Sequence, residues 1–179
     1  YDTEDKLDAE IEALNNPKQS VLSKVWNFVS TGTARPNSKS EQDKEIGNLK
    51  YKVRYRYTPL ATSADSRPFC EKMVAADKLY RKEDLLAMEN QVVNAGWGAR
   101  GADTYSIWLY KGGGDCHHKW LRQTFASTVK VDVNNPNAPQ VSTNQAEKDG
   151  LRVRNPKEVA MKPMDMPNRG FLPTNKRFN

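Results

Sequence analysis

The chain has 179 residues and an apolar share of 37%, below the roughly 45–50% of an ordinary globular protein, which leaves room for one domain with extensions. No run approaches the ~18 consecutive apolar residues of a membrane span, and two cysteines are too few for a secreted disulfide scaffold, so an intracellular origin is expected. The net charge is +6, but its sign is segregated: residues 1–16 carry six carboxylates against Lys6, and residues 151–179 carry seven basic side chains against Glu158 and Asp165. Opposed ends suit head-to-tail contacts with neighbours or anchoring on an acidic surface, and equally the solubility of exposed arms. A start at Tyr1, without an initiator Met or a basic-then-apolar leader, is expected of a fragment, a processed chain or one whose first residues are omitted.

Asp2 to Leu14 reads as a helix, because Leu7, Ile11 and Leu14 form one apolar stripe. Asn15, Asn16 and Pro17 end it. Ser20 caps a second helix that is apolar on most of its circumference through Val21, Leu22, Val25, Trp26, Phe28 and Val29; such a helix must bury itself on something. Gly32 stops it, and Thr33 to Lys44 reads as a polar linker.

The clearest strand is Tyr51 to Tyr57. Tyr51, Val53, Tyr55 and Tyr57 alternate with Lys52, Arg54 and Arg56, which predicts a tyrosine face turned to the core and a basic face turned to solvent or to nucleic acid. Pro59 to Ser66 is a loop. Phe69 to Leu79 and Lys82 to Val93 read as helices, the second with Leu85, Leu86, Met88 and Val92 inward. Gly96, Gly98 and Gly101 surround Trp97 in a turn region. Thr104 to Tyr110, rich in β-formers, reads as a second strand. Gly112-Gly113-Gly114 makes a tight hairpin turn, and His117 to Phe125 reads as a third strand. The expected fold class is therefore α+β, and Trp97, Trp108 and Trp120 are expected in its core.

Beyond Val129 the periodicity fails, and six prolines punctuate the chain to its end. That segment cannot build a core of its own. The expected organisation is a helical N-terminal arm at 1–30, a linker at 31–46, a compact domain at 47–128 and an extended C-terminal arm at 129–179. The arm is expected to lie on a partner, docking Val153, Val159, Met161, Met164, Met166, Phe171, Leu172 and Phe178 one at a time.

Both cysteines and both histidines fall in two short segments, Ser66-Arg67-Pro68-Phe69-Cys70 and Gly112 to Trp120. If Cys116 to His118 is extended, Cys116 and His118 share a face and His117 takes the other. Cys70, Cys116 and His118 are then candidate ligands of a zinc ion, the candidate cofactor, with Asp115 or His117 as the fourth. Two packed thiols, a disulfide, or a histidine bonded to backbone would account for the same residues. The paired Cys-x-x-Cys spacing is absent. Arg67 precedes a proline, so its backbone is held extended, and its guanidinium suits a carboxylate or phosphate, or stapling a loop to the domain. The glycine run lacks the P-loop's spacing and its Lys-Ser/Thr end.

The run from Val53 to Phe125 resembles a domain of tailed-phage virion proteins, the Mu-type minor head or head-morphogenesis family, and similar domains of phages infecting Bacteroidetes. The likeness rests on Ser66-Arg67-Pro68-Phe69-Cys70 ahead of a helix and on Cys116-His117-His118 closing the domain. Where that family usually ends in a His-Pro-x-Cys-x-Cys-like segment, this chain has Cys116-His-His-Lys-Trp120, so the ligand identities stay open. Asp165-Met-Pro-Asn-Arg-Gly-Phe-Leu-Pro173 also looks like the end of such proteins. The resemblance implies a non-enzymatic portal, capsid or connector component in a multi-copy virion, touching other virion subunits and packaged DNA and no membrane. The rival is a head-packaged nuclease-like or transferase-like domain with Arg67, His117 and His118 as active groups. An open cleft lined by those three side chains would mark the enzyme, and their burial would mark the structural component.

Overall fold

The computed structural model describes residues 31–59 and 66–171; the helices expected at 2–14 and 20–29, and the anchors Leu172 and Phe178, lie outside them. The fold is α+β, as expected: short helices and a five-stranded antiparallel sheet. The strands are β1 (Lys44–Ile46), β2 (Leu49–Tyr57), β3 (Leu79–Tyr80), β4 (Trp120–Ser127) and β5 (Gln140–Val141). The path runs β1-β2-β4-β5, and β3 pairs with β2. No helix among the described residues is long and apolar enough to cross a membrane.

β2 organises the sheet because its alternation is strict. Tyr51, Val53, Tyr55 and Tyr57 are all buried. Tyrosine suits this face because each ring fills the core while its hydroxyl finds a partner. Tyr51 donates to Asp149 (2.8 Å). Tyr55 donates to Gln42 (2.9 Å) and accepts from Asn155 (2.7 Å). Trp108 meets Tyr55 edge-on at 4.8 Å between ring centres, and Trp120 meets Tyr57 at 5.1 Å. Those two tryptophans are core residues, as expected.

The opposite face is not solvated as the alternation suggests. Arg54 is 0% exposed. Its guanidinium binds Asp43 through Nη1 (2.6 Å) and Nη2 (3.1 Å), and donates to the carbonyls of Pro36 (2.5 Å), Val53 (2.7 Å) and Ser38 (2.9 Å). The polar segment read as a linker is thus wrapped across the sheet by one arginine. A planar fork of five donors can satisfy that many acceptors at once. Leu79, Phe125 and Val133 make a small second core on the same side.

Between the strands lie α1 (Pro68–Ala76), α2 (Lys82–Ala87) and α3 (Ile107–Tyr110). Pro68 starts α1 at the position where a missing N–H costs nothing, and the chain leaves it through Asp77 in left-handed conformation (φ 47°). The helix expected through Leu79 therefore stops early, and Leu79–Tyr80 pairs with β2 instead. α2 gives way to a 3₁₀ turn at Met88–Asn90. The strand expected over Thr104 to Tyr110 is a helical turn: Ser106 Oγ caps it by accepting from Leu109 N–H (3.3 Å). Its β-forming residues are overruled by that cap and by packing of Ile107 and Trp108 into the core. The glycine run accordingly joins a helix to a loop rather than closing a β-hairpin.

The C-terminal segment also departs from expectation. Residues 129–171 are part of the domain. β5 pairs with β4 through Thr124↔Val141 and Phe125↔Gln140. A fourth helix, α4 (Thr143–Lys148), is capped by Ser142. Val133, Ala146, Leu151, Val159 and Met166 are buried, and Phe171 sits edge-on to Tyr105 and Tyr110. Of the expected anchors, Val153, Val159, Met166 and Phe171 dock one at a time, as the lack of periodicity requires, but on the chain's own domain.

Candidate metal centre

The site forms where α1, the end of β2 and the loop leading into β4 converge. Cys70 lies in the first turn of α1. Tyr57 ends β2 opposite Trp120. Past that pair the two strands stay clamped by Thr58, whose Oγ1 donates to Lys119 C=O (2.6 Å) and accepts from Lys119 N–H (2.7 Å). The clamp fixes His118 flat against Tyr57, the rings 5.1 Å apart and 14° from parallel.

Cys70, Cys116 and His118 are all buried, and their ligand atoms lie within 4.8 Å of one another. The sulfurs are 3.8 Å apart, and Cys116 Sγ is 3.6 Å from His118 Nδ1. These separations can be compared with a coordination tetrahedron. Bonds of about 2.3 Å to sulfur and about 2.05 Å to nitrogen give edges of about 3.8 Å for S···S and about 3.6 Å for S···N. Two of the three edges meet these values; the third, Cys70 to His118, lies within 4.8 Å. The two thiols bracket one thiolate-like position. Burial raises Cys116, but hydrogen bonds from Cys70, His118 and Tyr57 outweigh it and hold this thiol well below its ordinary value. Its hydrogen bond to Cys116, then burial, pushes Cys70 up. A sulfur whose proton is easily given up is what a metal needs.

Neither expected fourth ligand joins the group. His117 is exposed on the outer face of the loop, as the alternation requires once Cys116 and His118 turn inward. Asp115 pairs with Arg169 and holds a left-handed φ of 61°, which aims its carboxylate at the C-terminal segment.

Arg67 is not an open anion site. It is 8% exposed, and its guanidinium donates to the carbonyls of Gly112 (2.6 Å) and Gly114 (2.5 Å) while lying 4.1 Å over the Trp97 ring. It staples the glycine loop against α1, the stapling role among those its position allowed. Asn94 Nδ2 adds a second donor to Gly112 C=O (2.9 Å). The loop needs glycine here: a Cβ on Gly112 would collide with Cys70 Sγ and reach 3.0 Å from Cys116 Sγ. Gly113 has φ +97°, and a Cβ on it would collide with the Trp97 carbonyl. From outside, the C-terminal segment closes the loop: Met164 N–H donates to Cys116 C=O (3.1 Å), and Asp115 N–H to Arg169 C=O (2.7 Å). Lys111, 0% exposed, spends its ammonium on the carbonyls of Leu109 (2.9 Å) and Glu158 (2.7 Å). Arg67, His117 and His118 therefore share no open cleft.

Spacing alone did not single out Tyr57 or Lys111. The alternation places Tyr57 in the core but does not say which polar atoms its hydroxyl meets. The glycine run signals a turn but not the sulfur packed against it. Compared with known protein families, with curated proteins and with solved structures, the chain matches none of them.

Proposed function

We propose that this protein is a non-catalytic structural component of a tailed-phage virion, at the portal, capsid or connector, whose domain is stapled by a zinc ion on Cys70, Cys116 and His118. The observation that carries the metal reading is the buried Cys70–Cys116–His118 cluster, two of whose three edges, 3.8 Å and 3.6 Å, have the lengths of a zinc tetrahedron, while the third lies within 4.8 Å. When bound, zinc supplies a cross-link between α1 and the loop before β4. Cys70 and Cys116 provide the charge that balances it, His118 a neutral nitrogen held in place by Tyr57, and Arg67 the rigid loop that keeps both sulfurs facing inward.

The structural role is supported by the burial of Arg67 and His118 in packing, the arrangement expected of a module that holds shape. The virion assignment rests on the sequence likeness from Val53 to Phe125. A surface pocket is lined by Lys50, Lys52 and Lys130 together with Phe125, Val129 and Val131, a basic and apolar lining that suits contact with an acidic neighbouring subunit or packaged DNA. The test is gradient purification of assembled particles from cells making this protein, followed by quantitative mass spectrometry. The chain is expected with the particles in many copies. Particles that lack it while it stays free in the lysate would overturn the assignment.

A further inference from the structure

Three ligands leave one corner of a tetrahedral site, and the two residues nearest in sequence turn away from it. Tyr57 is the residue whose side-chain oxygen lies beside both sulfurs. Its hydroxyl is 3.4 Å from Cys70 Sγ and 3.6 Å from Cys116 Sγ. With bonds of about 2.3 Å to sulfur and about 2.0 Å to oxygen, a tetrahedral S···O edge is about 3.5 Å. The phenol oxygen thus stands at tetrahedral distance from both sulfurs at once. The sulfurs are themselves one edge apart, so the three atoms define a face of the expected polyhedron.

We infer that Tyr57 completes the metal centre as its fourth ligand, through the phenol oxygen; this rests on the metal reading above and adds the coordination number and the closed state of the site. Three features support it. Tyr57 is buried at the end of a nine-residue strand, so its oxygen is held by the sheet and not by a loop. Its ring is packed on His118, Trp120 and Phe69, which leaves the hydroxyl little freedom to turn away. Gly112 backs the two sulfurs so closely that a single added carbon would collide, and the Arg67-pinned loop covers that side. Loading a divalent metal sends to solvent the protons that remain on the two sulfurs, the two thiolates balance its two positive charges, and Tyr57 keeps its proton and binds through the neutral phenol oxygen. A site with four protein ligands is structural; one with an open corner binds water or substrate.

Cobalt(II) loaded into the full chain tests this, because its visible bands report coordination and it accepts added azide where a corner is open. The wild-type chain is expected to show tetrahedral bands that azide leaves unchanged. Tyr57→Phe is expected to bind cobalt at least tenfold more weakly and to shift its bands when azide is added. Azide-sensitive bands in the wild-type chain would overturn the inference while leaving the three-ligand site intact; so would a Tyr57→Phe chain that matches the wild type in affinity and azide response. A wild-type chain that takes up no cobalt would overturn the metal reading itself. The azide titration of the wild-type chain decides the matter even where Tyr57→Phe fails to fold.

Discussion

Arg67 and Lys111 show how single buried cations hold the loop around the sulfurs. Arg67 satisfies two glycine carbonyls and stacks on Trp97. Removing it leaves Gly114 C=O without its charged donor, at a cost of about 1–3 kcal/mol, while Gly112 C=O keeps Asn94. Arg67→Ala is therefore expected to lose about 2 kcal/mol in urea unfolding. Arg67→Lys should recover only part of this, because an ammonium cannot span both carbonyls in a planar fork; full recovery by lysine would contradict the stapling role. Lys111 makes a separate prediction about pH. Burial lowers its ammonium from the ordinary 10.5 to about 7, with Cys116 and Glu158 opposing. The folded value lies below the unfolded one, so between about 7 and 10.5 the unfolded chain holds the extra proton. Stability contributed by this group therefore rises with pH across that window and is level below it. Comparing the pH dependence of unfolding of the wild type and Lys111→Met isolates that slope, and identical slopes would rule out the assignment.

At the scale of elements, the legible parts were those whose pattern is local. The alternation from Tyr51 to Tyr57 marks β2 but for its first two residues, and its buried face, and the clustering of Cys70, Cys116 and His118 in two segments marks the site. The illegible parts depend on partners distant in the chain. Nothing near Arg54 says that Asp43 and three carbonyls from 36–53 will surround it, so a basic alternate position reads as solvent-facing. Residues Thr104 to Tyr110 carry β-forming side chains, but the Ser106 cap and core packing of Ile107 and Trp108 decide for a helical turn. The segment beyond Val129 has no periodic face, because its anchors meet the domain singly. Asp43→Ala tests the wrapped segment. It strands a fully buried guanidinium, and breaking such a pair costs about 3–5 kcal/mol. Hydrogen exchange should then show faster exchange over residues 35–43 before the rest of the sheet opens; an unchanged protection pattern would mean that Arg54 does not hold this segment.

The described residues form a single sheet covered by α1–α3 and, in part on both faces, by segments outside the 47–128 core that periodicity marks out. Ser40 and Gln42 come from one side of the chain, and Val133, Ala146, Leu151, Val159 and Met166 from the other. Burial of a large aliphatic side chain contributes about 1.5–3 kcal/mol, and a domain's net stability is only about 5–15 kcal/mol. Truncation after Thr128 removes those five side chains and uncovers Tyr51, Tyr55 and the Gly112–Gly114 loop. The sequence reading expects this truncated chain to fold; the structure predicts that it does not unfold cooperatively in urea, whereas truncation after Phe171 does. A sharp transition in the shorter chain would show the C-terminal segment to be dispensable. The central claim, a domain stapled by metal at Cys70, Cys116 and His118, is tested most directly by metal content and melting temperature measured together on the purified full chain. The account predicts about one zinc per chain, a lower melting temperature in chelator, and a similar loss in Cys70→Ser and Cys116→Ser, since binding energy at such a site is folding energy. A metal-free chain whose melting is unmoved by chelator would contradict it.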